Sequence, residues 1–203
     1  MYTVIGHPMS RAIRVIWMLE ELGENYEINP AGPGSDEMKK ANPTGKSPAL
    51  IDGDTLLIDS AAICQYLADK HGKLTHKAGT PERGQQDSFT FFAMDDMEYP
   101  LWTEAKHRFL LPEKLRAPNI KEACRYEFDK AMTALEERFG DGPFVTGDQF
   151  TVPDLLLGHC AVWATGIEFE LPKGKIGDYF ERVLSRPARI RAQERGKQVL
   201  EAA

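Results

Sequence analysis

The sequence predicts an α/β segment over residues 1–74 and an all-helical segment over residues 85–203, joined by a polar linker at 75–84. Three observations carry this division. Short apolar runs alternate with helical periodicity as far as Gly72. An Asp52-Gly53 pair between two apolar runs marks a hairpin. Beyond Gly84 every apolar pattern has the helical period. A chain of 203 residues accommodates two domains of about 100 residues each.

Taken in order, Tyr2 to Ile5 is a short strand, closed by Gly6, His7 and Pro8. A helix is expected from about Ser10 to Leu22, because Ala12, Val15, Ile16, Leu19 and Leu22 recur at helical spacing. Ser10 supplies its N-cap and Gly23 its stop. Asn25 to Ile28 reads as a strand, and Pro30 to Gly34 as a loop leading to a short polar helix near Ser35 to Ala41. The run Asn42-Pro43-Thr44-Gly45-Lys46-Ser47-Pro48 holds too many turn formers for regular structure. Strands at Ala49 to Ile51 and Thr55 to Ile58 flank the hairpin, and Asp59-Ser60 opens a helix ending at Gly72. A βαβ unit with a right-handed crossover, followed by αββα, is the thioredoxin-like arrangement.

The second half is predicted helical throughout. A long helix spans Gln85 to about Arg108, with a kink at Pro100. Asn119 is expected to cap a helix bearing Cys124, Phe128, Ala131, Leu135 and Phe139 on one face. The strongest helix start is Phe150-Thr151-Val152-Pro153-Asp154-Leu155. Thr151 and Asp154 can cap each other's amides, Phe150 and Leu155 occupy staple positions, and Pro153 falls where an N–H is not needed. That helix, running to about Gly166, is apolar nearly all round and is expected to be buried. Helices near Ile176 to Leu184 and Pro187 to Leu200 complete the chain.

Composition narrows the function classes. Apolar residues make up 42% and the formal net charge is −6, which describes a core-forming protein with no electrostatic pull toward nucleic acid or anionic membranes. Charges interrupt every apolar stretch before membrane-spanning length. The chain opens directly on a strand, without a basic and apolar leader, so a cytoplasmic rather than an exported protein is expected. The three cysteines, Cys64, Cys124 and Cys160, are distant from one another in sequence and form no CxxC, which argues against a disulfide framework or a zinc site.

Three segments carry chemistry. Gly6-His7-Pro8-Met9-Ser10-Arg11 puts a hydroxyl at the start of the first helix, where unsatisfied amides and partial positive charge favour an anion. A thiol bound there would be held as thiolate by the Ser10 hydroxyl, with Arg11 and Arg14 adding positive charge. A lowering of about two units from the ordinary value near 8.5 makes most of a thiol thiolate at neutral pH, and corresponds to roughly 2.7 kcal/mol. Lys46-Ser47-Pro48-Ala49 precedes a strand in a topology that favours a cis Pro48. Such a bond turns the backbone N–H and C=O of Ser47 outward to pair with an extended peptide. Asp59 suits an ammonium and Ser60, at the opening of its helix, a carboxylate. Together they match an α-amino acid end group such as γ-glutamyl.

These motifs, in this order, resemble the cytosolic glutathione transferases over essentially the whole chain. Gly6-His7-Pro8-Met9-Ser10 is similar to the serine-bearing segment of the phi class. Ser10-Arg11-Ala12-Ile13-Arg14-Val15-Ile16-Trp17-Met18-Leu19-Glu20-Glu21-Leu22 is similar to a bacterial and yeast subgroup. Asn42 to Pro48, Asp59-Ser60, Thr151-Val152-Pro153-Asp154 and Arg186-Pro187-Ala188 match further family segments. The resemblance implies a transferase that joins the glutathione thiolate to a small hydrophobic electrophile, with glutathione as co-substrate and no other cofactor or metal. It implies a homodimer with Ser10 as the activating residue, His7 and Arg11 being the alternatives, and Ser10, Arg11, Lys46, Ser47, Pro48, Asp59 and Ser60 around glutathione. Ser47 stands where many members have Val, which leaves its backbone role intact. Met94, Glu98, Tyr99, Trp102 and Trp163 are the candidates for the electrophile pocket. A glutathione-dependent peroxidase and a non-catalytic ligand-binding or docking module are the alternatives. Thiol–disulfide exchange is set aside, since no cysteine lies at the start of the first helix.

Overall fold

The computed structural model describes residues 1–202. The chain divides into two compact units. One comprises Met1–Lys77 with the C-terminal stretch from Leu184 onward; the other comprises Ala78–Val183.

In the first unit, β1 (Tyr2–Ile5), β2 (Tyr26–Asn29), β3 (Ala49–Asp52) and β4 (Thr55–Ile58) form one sheet in the order β2-β1-β3-β4. β1 runs parallel to β2 and antiparallel to β3, and β3 pairs antiparallel with β4. Helices α1 (Ala12–Leu22), α2 (Asp36–Ala41) and α3 (Ser60–His71) complete the expected thioredoxin-like order. α1 is amphipathic by spacing, and its apolar side chains Val15, Ile16, Met18 and Leu19 are buried. It ends on Gly23 at φ 75°, a conformation that glycine adopts without Cβ strain. Ser35 caps α2, its hydroxyl accepting the Met38 N–H at 3.1 Å. Met38 and Ala41 then pack with Ile5, Ala31 and Ala49. α3 is tied to the end of β3 through Asp52, which accepts hydrogen bonds from Tyr66 and Lys70.

The C-terminal helix α9 (Pro187–Glu201) packs on α1 in this same unit, a placement that local patterning did not indicate. The contact is fixed by a fork: Arg186 Nε and Nη2 donate to Glu21 Oε1 and Oε2 at 2.6 and 2.7 Å. Arg191 Nε donates to Glu20 Oε2 at 2.7 Å and its Nη2 to the Glu20 backbone carbonyl at 3.1 Å.

The second unit contains α4 (Pro81–Phe92), α5 (Tyr99–Ala105), α6 (Ile120–Arg138), α7 (Val152–Gly166) and α8 (Lys175–Leu184). α4 begins inside the stretch read as linker, because Thr80 accepts the Arg83 N–H and Pro81 takes the first helical position. The expected kink at Pro100 is resolved differently. A π-helical turn, Ala93–Glu98, leads into α5, and a second, Lys106–Leu110, follows it. Proline lacks the N–H that an α-helical register would need, and a wider turn accommodates that loss. Asn119 starts α6 but makes no side-chain cap. Cys124, Phe128, Ala131 and Leu135 are buried along its inner face, as their spacing predicts.

The start of α7 is the best-determined polar feature of this unit. The reciprocal arrangement of Thr151 and Asp154 is present. Asp154 Oδ2 accepts the Thr151 N–H at 2.8 Å and its hydroxyl at 3.1 Å. Asp154 Oδ1 accepts the Val145 N–H and the Tyr179 hydroxyl, both at 3.0 Å. Burial outweighs these donors and pushes the Asp154 carboxyl up to about 6. No helix among the described residues is long and apolar enough to cross a membrane.

Candidate functional site

The candidate site lies where β1, α1, the loop before β3 and the start of α3 meet. Gly6 follows β1 at φ 153°, and a turn over His7 to Arg11 leads into α1. The helix therefore begins at Ala12, two residues later than its periodicity alone predicts, and Arg11 occupies the cap position without capping the helix through its side chain. The cause is the Ser10 hydroxyl. It donates back to the His7 carbonyl at 2.6 Å and accepts the Ala12 N–H at 3.2 Å, which holds Ser10 in the turn. The amides expected to be open at the helix start are largely used by this turn. Ile13 N–H bonds the Ser10 carbonyl and Arg14 N–H the Arg11 carbonyl, both at 3.1 Å. The helix dipole still favours negative charge here, but the hydroxyl is the directional group.

Facing it is Ser47, whose Oγ lies 2.8 Å from Ser10 Oγ. The Ser47–Pro48 peptide bond is cis, as the topology predicts. The loop holding it is set by Asn42, nine-tenths buried, whose side-chain amide donates to the Lys46 carbonyl at 2.8 Å and whose carbonyl oxygen accepts from Thr44. Lys46 itself is exposed and Pro48 buried. Reading Ser47 as a backbone contributor alone missed its hydroxyl. The signal for it was the serine in place of an apolar residue, next to a glycine with room for it. A Cβ on Gly6 would stand 2.2 Å from Ser47 Oγ and 2.9 Å from Ala12 Cβ.

At the third corner, Asp59 caps α3, its Oδ1 accepting the Ala61 and Ala62 amides at 2.9 and 3.2 Å. Asp59 is exposed and sits at φ 72°, a region costly for a side chain other than glycine. Ser60 is placed differently from its expected role. It is buried, and its hydroxyl accepts from Arg14 Nη1 at 3.2 Å. The Ser60 oxygen is therefore engaged by Arg14 rather than open at the helix start. Arg14, read as a charge beside the thiol, is fully buried and links α1 to α3 instead. His7 is half-buried, and its Nδ1 accepts the Met9 N–H at 3.2 Å.

The five residues assigned to an electrophile pocket all lie in the second unit. Trp102 and Trp163 meet edge to face with ring centroids 6.4 Å apart, and His159 meets Trp163 edge to face at 6.2 Å. Glu98 is buried, with Cys160 Sγ 3.9 Å from its carboxylate. Met94 is partly buried, and Tyr99 is 60% exposed with Lys106 Nζ 5.7 Å from its ring. The cysteines are buried, and burial pushes the Cys64 thiol up to about 12, far from a nucleophile's range.

A thioredoxin-like unit carrying a helix-start hydroxyl beside a cis proline, followed along the chain by a helical unit, defines the fold class. Within it, the chain belongs to the glutathione S-transferase family. Residues 5–79 match the family's N-terminal domain and residues 118–192 its C-terminal domain. Glutathione S-transferase Z2 of Arabidopsis thaliana is 32% identical over 190 residues, 88% of this chain and 84% of that protein. Glutathione S-transferase 1 of Triticum aestivum is 29% identical over 177 residues, 75% of this chain and 74% of its own. Among solved structures, the glutathione transferase URE2P6 of Phanerochaete chrysosporium, in complex with oxidized glutathione, superposes with a TM-score of 0.81. It is 27% identical, covering 98% of this chain and 97% of that one.

Proposed function

We propose that this protein is a glutathione transferase that holds glutathione along Ser10, Arg11, Lys46, Ser47, Pro48, Asp59 and Ser60 and joins its sulfur to a small hydrophobic electrophile. The observation that carries the reading is the Ser10 hydroxyl at the mouth of α1, 2.8 Å from the Ser47 hydroxyl on the loop that enters β3. The tripeptide backbone pairs with Ser47, its α-amino group faces the Asp59 carboxylate, and its carboxylate takes the Ser60 N–H, since Asp59 already holds the Ala61 and Ala62 amides. The thiol loses its proton to water, and the Ser10 O–H turns from the His7 carbonyl to the thiolate, a better acceptor. The sulfur then forms a bond to an electrophilic carbon as the leaving group departs with its electron pair. The named relatives support this chemistry, and the complex of URE2P6 with oxidized glutathione supports the ligand. Met94, Glu98, Tyr99, Trp102 and Trp163 are the side chains we assign to the electrophile, and the working unit is a cytoplasmic homodimer.

The test is Ser10→Ala, assayed for turnover of a generic aryl halide and for glutathione affinity. Losing a hydrogen bond to a charged group costs about 1.5–3 kcal/mol, so the rate at neutral pH should fall about ten- to a hundredfold while affinity changes little. An unchanged rate and pH midpoint would leave Ser10 as a turn former only. A parent protein that binds glutathione without turnover would be a carrier.

A further inference from the structure

We propose that Ser47 is a positioning residue for thiol activation, its hydroxyl donating to Ser10 Oγ and aiming the Ser10 proton outward at the sulfur. This rests on the glutathione reading above and adds a side-chain role to a residue otherwise used through its backbone.

Proton inventory carries the inference. A serine hydroxyl has one proton and two lone pairs. Ser10 spends its proton on the His7 carbonyl, which can only accept, at 2.6 Å. The contact with Ser47 at 2.8 Å must then be donated by Ser47. Ser10 Oγ thus receives two donors, the Ala12 N–H at 3.2 Å and the shorter Ser47 O–H. When a thiolate takes the Ser10 proton, both incoming bonds remain. They hold the oxygen in place and withdraw charge from it, which strengthens its outgoing bond. Without Ser47 the oxygen keeps only the longer of the two.

The fold also reserves space for this hydroxyl. A side chain at Gly6, at φ 153°, would collide with this hydroxyl, its Cβ standing 2.2 Å from Ser47 Oγ. Ser47 lies between Pro48 and a carbonyl pinned by Asn42, so its Oγ has a fixed origin. The charged groups on the surrounding segments are His7, Arg11 and Arg14 around the turn and α1, Lys46 beside Ser47, and Asp59 at the start of α3. Arg195 and Lys197 flank Gly196 of α9, where a Cβ would stand 2.9 Å from the ring of Pro8. All of them are retained in the variants below, so they cancel in the comparison.

The experiment follows the ultraviolet absorbance of bound glutathione thiolate, and the rate with an aryl halide, against pH. It compares the parent, Ser47→Ala, the shape-matched pair Ser47→Thr and Ser47→Val, Ser10→Ala and the Ser10→Ala/Ser47→Ala double variant. Ser47→Ala should raise the thiol midpoint by about half a unit to one unit and slow the rate below it about three- to tenfold. Threonine should restore the parent midpoint and valine should not. In the Ser10→Ala background, Ser47→Ala should add nothing. If the parent lowers the thiol midpoint but Ser47→Ala matches it, the role is overturned and the transferase reading stands. A further shift in the double variant overturns action through Ser10. A parent that never lowers the thiol midpoint overturns the reading and this role together.

Discussion

The pH dependence of stability at Asp154 tests the physical account of the helical unit most directly. The carboxylate is fully buried and accepts four hydrogen bonds, from Val145, both groups of Thr151, and Tyr179. Those donors favour the charged form, burial opposes it, and burial prevails, taking the group from 3.8 to about 6. Between these two values the folded state binds the proton and the unfolded chain has released it. The contribution of Asp154 is therefore fully present below the unfolded value and is lost as pH rises through the folded value. A displacement of about two units amounts to about 3 kcal/mol in the acid limit, of which about 2 kcal/mol falls between about pH 4.5 and 7.5. Asp154→Asn is neutral at every pH and removes this term, with a constant cost for the acceptor it lacks. Urea unfolding of parent and variant across that range gives the difference directly, since the other carboxylates titrate in both. The parent's stability relative to Asn should fall by about 2 kcal/mol as pH rises. A difference that is flat, or that grows with pH, would mean the four donors outweigh burial, and the reasoning would fail.

Gly6→Ala should destabilise the protein by about 1–3 kcal/mol in thermal melts, because its Cβ would meet Ser47 Oγ at 2.2 Å in a backbone region that disfavours side chains. Glu21→Ala should cost about 2–3 kcal/mol by denaturant unfolding, since it strips the Arg186 fork and the Trp17 indole N–H of their shared acceptor. Light scattering at micromolar concentration should return the mass of two chains; the mass of one would refute the homodimer.

Elements with local signals were legible in the sequence. The parallel β1–β2 pair followed from the βαβ alternation, the β3–β4 hairpin from Asp52-Gly53, and the start of α7 from Thr151 and Asp154. What escaped depended on distant partners. Ser60 and Arg14 are separated by 46 residues, so nothing local indicates that their side chains satisfy each other in the core. Arg186 and Glu21 are 165 residues apart, and the familiar look of Arg186-Pro187-Ala188 gave no hint of which helix it grips. The late start of α1 was hidden for another reason. Serine favours both the cap and the back-bonded turn, and only the position of the His7 carbonyl decides between them.

Ser47 and Ser60 show how one side chain acquires opposite uses from its surroundings. Ser60 sits under a buried guanidinium, and its oxygen is an acceptor for Arg14. A charged donor at 3.2 Å in a buried site fixes that lone pair inward, so the residue serves cohesion between α1 and α3. Ser47 is only partly buried and faces a neutral hydroxyl whose proton is already committed. Its own proton stays directed at Ser10 Oγ, and the Ser10 proton is the one that turns from the His7 carbonyl when an anion arrives. Stability thus accumulates where the hydroxyl meets a fixed charge, and responsiveness where it meets another hydroxyl. The division places the adaptable pair at the start of α1, where the helix dipole already favours negative charge, and the rigid pair behind it.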